Sequence, residues 1–303
     1  MEGYLSVKES IEKYIENSLA KTKMSSERLF GKAILAGVMI GMGAAASSVA
    51  SHTIQDVGLA RLVAAAVFPV GLMMVMLLGA ELFTGDCLIA MNVLDGKQKV
   101  QSVIRILSIV YFGNFVGATL LAIFISMSGQ LDYSAGMLGA YTIKIAVGKV
   151  NISFMEGIIS GALCNILVCA AVLMAMSAKD IAGKLLSIFF TIMLFVTAGF
   201  EHCVANMYYI TAGILAKSNP EYVRLAMETY GFTKEQLENL NFTSYVVTNL
   251  LPVTIGNILG GVLFFGVPMF LLNTKKAKQV KETSKEGKKN DVLCPTVFTD
   301  TVR

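Results

Sequence analysis

Glu201 and His202 stand side by side in the stretch Gly199-Phe200-Glu201-His202-Cys203-Val204-Ala205-Asn206, inside an otherwise apolar run. Imidazole exchanges a proton near neutral pH, and a carboxylate holds cations or accepts hydrogen bonds. Such groups are expensive at membrane depth, so they mark a route or a site. A second interruption, Gly79-Ala80-Glu81-Leu82-Phe83-Thr84-Gly85-Asp86, cuts an earlier apolar run. Lipid cannot satisfy unwound backbone, so each break implies protein partners or a wet cavity. The half-helix after each break would aim its N-terminal amides at the midplane, an arrangement that favours an anion. Glu81 and Glu201 would repel an anion if they lined its route. They are expected instead to hold the loops by accepting backbone hydrogen bonds, with Asp86 and Asn206 as further loop supports.

The elements that must position these groups are read from composition. Of 303 residues, 55% are hydrophobic and 15% charged, and the mean hydropathy is +0.65. This is an all-α polytopic membrane protein. Six apolar runs, at 33–49, 59–91, 103–126, 152–175, 185–216 and 246–272, meet the length needed to span hydrocarbon, the second and fifth being broken. The net charge of +4 reports topology, not nucleic-acid binding. Placing both termini and the loops at 97–105 and 179–184 in the cytoplasm leaves only Arg61, Lys144, Lys149, Lys217, Arg224 and Lys234 outside. The expected organisation is a cytoplasmic amphipathic segment over 1–30, a channel domain over 31–273 and a basic, disordered cytoplasmic tail over 274–303. Leu5, Ile11, Tyr14, Ile15 and Leu19 fall near helical spacing, which predicts a helix lying on the membrane surface or capping the inner mouth of a pore.

The chain repeats itself. Gly79, Glu81 and Asp86 return as Gly199, Glu201 and Asn206, all 120 residues on, and Gly37-x-x-x-Gly41 returns as Gly157-x-x-x-Gly161 at the same offset. Gly113-Asn114-x-x-Gly117 returns as Gly256-Asn257-x-x-Gly260. An extra segment around 220–241 fits a short external helix. Three spans per half is an odd number, so the second half enters from the other side: two inverted three-helix repeats, with the binding region near the midplane. Glycines of the small-xxx-small kind pack helices in any bundle; the breaks carry the function.

Other chemistry is disfavoured. His202 and Cys203 on adjacent positions have no recognised metal-ligand spacing, and the five cysteines form no paired framework. No Asn-Pro-Ala lies in either break, and no phosphate-binding Gly-x-x-x-x-Gly-Lys is present. An intramembrane enzyme using Glu201 and His202 as an acid/base pair would need a one-sided cleft, whereas two symmetric breaks predict a route. The chain is expected to be no enzyme and to need no cofactor.

Ala80-Glu81-Leu82-Phe83-Thr84-Gly85, Lys149 with Asn165 around the fourth span, and Gly199-Phe200-Glu201-His202-Cys203-Val204-Ala205-Asn206-Met207 closely resemble the formate/nitrite transporter family, from about Ser25 to Leu272. The continuation Thr84-Gly85-Asp86-Cys87 looks most like its clostridial hydrosulfide channel branch, and Asp86 departs from the formate-type pattern. The resemblance implies an aquaporin-like helix arrangement in a homopentamer of the bacterial inner membrane, with one pore in each protomer. By motif position, Phe68 and Phe195 would form the outer constriction and Leu72, Leu82 and Phe83 the inner one. Thr84 would line the loop between, His202 would face the chamber, and Lys149 and Asn165 would recruit anions on the outer side. The expected function is a channel for small monovalent weak-acid anions, hydrosulfide foremost with formate and nitrite related; the alternative is proton-coupled formate or nitrite symport.

Overall fold

The computed structural model describes residues 3–274. The expected basic tail, apart from Thr274, lies outside the described residues. Within them every regular element is helical: α1 (Val7–Thr22), α2 (Ser26–Ser51), α3 (Val57–Leu78), α4 (Phe83–Leu94), α5 (Val100–Met127), α6 (Met137–Val150), α7 (Phe154–Ser177), α8 (Ile181–Ala198), α9 (Cys203–Ala216), α10 (Pro220–Tyr230), α11 (Lys234–Glu238) and α12 (Phe242–Asn273). Helices α2, α3, α5, α7, α8 and α12 are long and apolar enough to cross a membrane. The half-helices α4 and α9 complete the second and fifth crossings. Large apolar side chains such as Phe112, Phe124, Phe190, Leu194 and Phe264 stay exposed on the outside, as a lipid-facing surface requires.

The amphipathic start is a helix because Ser6 and Glu9 close a capping box, Glu9 N–H donating to Ser6 Oγ and Ser6 N–H to Glu9 Oε2. It is no free surface anchor. Its face of Ile11, Tyr14, Ile15 and Ser18 is buried. Tyr14 Oη donates to Gly85 O at 3.3 Å and Ser18 Oγ to Asn92 Oδ1 at 3.1 Å, so α1 is seated on the first half-helix.

Both breaks open on a glycine in the left-handed region, Gly79 at φ 67° and Gly199 at φ 75°, where a Cβ is strained. Close backbone packing then fixes the spans around them: a Cβ on Gly37 would lie 2.2 Å from Asn114 O, and one on Gly256 the same distance from Ile158 O. In α12 two π-helical stretches, Tyr245–Leu250 and Leu259–Gly266, run up to Pro252 and Pro268. Neither proline can donate to the carbonyl four residues back, and the hydrogen-bond register shifts to accommodate it.

The inverted repeat is present, with one register corrected. Asn114 Nδ2 donates to Ala33 O and Glu81 O, while Asn257 Nδ2 donates to Gly161 O and Glu201 O. Asn114 therefore answers Asn257 and Glu81 answers Glu201, as expected. Ala33, however, answers Gly161, a separation of 128 rather than 120. Glu81 N–H donating to Lys32 O and Glu201 N–H donating to Ser160 Oγ confirm that register. Gly37 thus corresponds to Asn165, not Gly157; the glycine match at 120 reflects the abundance of small residues in packed spans. The external insertion forms two helices, α10 and α11, and α6 has no forerunner in the apolar-run reading.

Candidate functional site

The two unwound loops are held from below by asparagines. Phe83 N–H, the first amide of α4, donates to Asn114 Oδ1, and Cys203 N–H, the first of α9, to Asn257 Oδ1, both at 2.9 Å. Each asparagine therefore satisfies two loop groups and ties them to a neighbouring span. Both are buried, where an unsatisfied amide costs about 1–3 kcal/mol. Sequence reasoning assigned them no role; the available signal was a lone amide side chain in an apolar span, repeated in Gly-Asn-x-x-Gly.

The glutamates act differently from expectation. Neither takes a hydrogen bond from the loop backbone among the described contacts. Glu81 Oε2 meets Lys21 Nζ of α1 at 2.5 Å, and its other oxygen lies 3.9 Å from Lys32 Nζ. Glu201 accepts from Lys149 Nζ at 2.9 and 3.1 Å, from Asn206 Nδ2 at 2.6 Å and from Asn249 Nδ2 at 3.3 Å. Each carboxylate is thereby neutralised, which removes the repulsion it would exert on an anion. Asp86 Oδ1 also meets Lys21 Nζ at 2.5 Å. Burial pushes the Lys21 ammonium toward neutrality, but Asp86 and then Glu81 outweigh it and hold its pKa above the ordinary value.

Between the half-helices, His202 and Thr84 meet. His202 Nε2 lies 2.8 Å from Thr84 Oγ1, and His202 Nδ1 accepts the Ala205 N–H at 3.1 Å, so the imidazole caps α9. A backbone N–H only donates, so Nδ1 carries no proton. The ring is the neutral tautomer with its proton on Nε2, aimed at Thr84. A second proton on Nδ1 would break the cap.

Above this pair a cavity of about 260 Å³ is lined by Lys149, Phe68, Phe195, Glu201, His202, Asn206 and others. Phe68 and Phe195 meet edge to face at 5.7 Å, and Phe195 stacks on the His202 ring at 6.0 Å. Leu72, Leu82, Phe83 and Thr84 are buried and do not line this cavity. The two phenyl rings and the histidine thus share one wall, with the three apolar side chains beyond it. Lys149 enters from the last turn of α6.

Asn165 is not brought there. It is buried between α7 and α12, its Nδ2 donating to Asn257 O at 2.6 Å. Gly261 makes the room, since a Cβ on it would meet Asn165 Nδ2 at 2.4 Å. Through that bond Asn165 braces the second asparagine staple.

Two antiparallel halves, each with a broken crossing, and a polar pair closing the gap between them under a cationic cavity define a multi-pass membrane transport protein. The model of the formate/nitrite transporter family matches residues 8–271. The chain is 39% identical to the formate channel FocA of Haemophilus influenzae over 69% of this chain and 73% of that one. A solved pentameric formate channel with formate bound is 33% identical, with a TM-score of 0.72 over 82% of this chain and 97% of that one. A solved ion channel of the same family is 26% identical, with a TM-score of 0.72 over 88% of this chain and 99% of that one. The chain belongs to the formate/nitrite transporter family.

Proposed function

We propose that this protein is a channel that passes small monovalent weak-acid anions down their gradients, through one passage in each protomer of a homopentamer. Relatives described as formate channels make formate the first permeant to test. Hydrosulfide, suggested by the loop Thr84-Gly85-Asp86-Cys87, and nitrite come next.

The observation that carries the reading is the contact of His202 Nε2 with Thr84 Oγ1 at 2.8 Å, beside Phe68 and Phe195. Moving a bare anion into a dry medium costs tens of kcal/mol in the idealised limit. A weak acid avoids that cost by taking a proton from water in the vestibule and crossing as a neutral molecule. Lys149 and Arg61 at the cavity wall draw the anion in. The neutral His202 then offers its Nε2–H to the permeant's oxygen or sulfur in place of Thr84, and the proton leaves again on the far side. His202 stays neutral throughout, because Nδ1 is committed to the cap.

The test is formate uptake into proteoliposomes under matched pH gradients, with hydrosulfide and nitrite in parallel. Uptake should exceed that of empty vesicles, rise as the pH falls toward the permeant's own pKa, and stop when the gradient is spent. Uptake no faster than in empty vesicles for all three solutes would defeat the reading.

A further inference from the structure

The two breaks share a glycine, a glutamate and a lysine that reaches that glutamate, and differ in the polar residue that follows. Lys21 and Lys149 stand 128 positions apart, in the register that relates the first and fourth spans. Each lies in the last turn of the helix that precedes its half, α1 or α6. Each reaches the glutamate of its own break. Five residues after those glutamates come Asp86 in one half and Asn206 in the other, both buried. Both also leave one oxygen without a partner, Asp86 Oδ2 and Asn206 Oδ1. The first break thus holds one more cation, Lys32 where the register gives Ser160, and one more carboxylate, Asp86.

That charge alters the cation beside it. Asn206 is neutral and donates to Glu201, so Lys149 faces a single carboxylate. Asp86 is a second carboxylate on Lys21, which it meets at the same 2.5 Å as Glu81 does. On the face that carries α1, Lys21 and Lys32 are therefore matched by Glu81 and Asp86. The opposite face is unbalanced. Its cavity of about 260 Å³ joins an outer one of about 470 Å³ through shared walls at Arg61, Ala64, Tyr141 and Val196. Arg61, Lys144 and Lys149 line this pair of cavities, and Glu201 is the sole carboxylate among the lining residues. Arg61 donates to Thr197 O, and Lys144 lies over the rings of Tyr141 and Tyr230; neither is in an ion pair among the described residues. A cleft of one sign with low-dielectric walls concentrates ions of the other sign; a balanced cleft does not.

We propose that Asp86 sets a directional preference: as the second carboxylate at the first break it cancels the second cation there, so the passage loads more readily from the side whose cavities are lined by Arg61, Lys144 and Lys149 against Glu201 alone. This rests on the anion-channel reading above. The ligand is a small monovalent anion, and the effect is on loading, not on the equilibrium across the membrane.

Formate currents through oriented protein in planar bilayers, with each face titrated in turn, test it. For the wild type, half-saturation from the α1 face should need about fivefold more formate, or more, than from the opposite face, within the range of electrostatic concentration. Salt near 1 M, where the screening length falls to about 3 Å, should erase the difference. Asp86→Asn should lower half-saturation on the α1 face alone. Asn206→Asp should raise it on the opposite face alone, and the D86N/N206D swap should abolish the preference. Equal half-saturation on the two faces of the wild type would overturn the inference even if neither variant assembles, and leave the channel reading standing. A D86N effect of equal size on both faces would overturn it too, assigning Asp86 a structural role. No formate current through the wild type at all would remove the function and this inference with it.

Discussion

A single imidazole makes two contacts, capping α9 through Nδ1 and reaching Thr84 through Nε2, and on the proposed reading this division predicts how substitutions separate. Thr84→Val keeps the shape of the site but leaves the Nε2–H without its resting partner, a loss of about 1–3 kcal/mol. Because the permeant takes the place of Thr84 at that proton, half-saturation by formate should fall roughly tenfold, the size of about 1.4 kcal/mol, with the oligomer intact by gel filtration. His202→Phe removes both contacts, so it should abolish uptake and also lower the melting temperature. The ion pair behind it behaves otherwise. Lys149 and Glu201 are mostly buried at 2.9 Å, and removing one partner strands the other, at a cost of about 3–5 kcal/mol for a fully buried pair. Glu201→Gln should therefore melt well below wild type in detergent, whereas the double change K149M/E201Q should regain much of that stability while still taking up anions poorly. Equal melting of the single and double variants would mean that the pair is not coupled. The glutamate and histidine were legible in the sequence because polar residues interrupt an apolar run. Their partners were not, since Lys21 lies 60 positions before Glu81 and Lys149 lies 52 before Glu201, and only the fold brings them together.

At the level of elements, the spans and breaks follow from hydropathy and from the polar interruptions, and their ends move by only a few residues in the structure. The register of the repeat does not follow, because small residues recur wherever two backbones touch. Gly37 is fixed by contact with Asn114, and Gly157 packs on Pro252; one spacing motif thus serves two unrelated contacts. Helix α6 was hidden for a different reason: its 14 residues are too few to cross and carry Lys149 in the last turn, so hydropathy reads them as loop. Asn165 suits a polar passage by type, whereas in the fold its amide donates to Asn257 O of α12, an approach that Gly261 leaves room for. The asparagine staples make these elements one unit. Asn114→Ala should strand Phe83 N–H and the Glu81 and Ala33 carbonyls together, each costing about 1–3 kcal/mol. Thermal unfolding in detergent should register a loss far beyond that of Gly148→Ala, whose added Cβ meets nothing within 4 Å. A loss no greater than for Gly148→Ala would remove the stapling role.

For the whole molecule the central question is where the route runs in the proposed pentamer. The cavity under Lys149 is bounded by α2, α3, α6, α8 and α9 of a single chain, and the Thr84–His202 pair is completed within that chain. The site is thus complete within one chain, which is what the proposed passage in each protomer requires. Mixed pentamers distinguish that route from a hole on the five-fold axis. With wild-type and H202F chains co-expressed in known ratio, independent passages make uptake fall in linear proportion to the fraction of inactive chains. A shared axial pore, in which one defective chain perturbs the single route, makes it fall as a steep power of the active fraction. Chains mixed at equal amounts should thus retain about half of the wild-type uptake by simple proportionality, since each passage loads anions separately. Retention of only a few per cent would place the route on the axis and detach His202 from permeation.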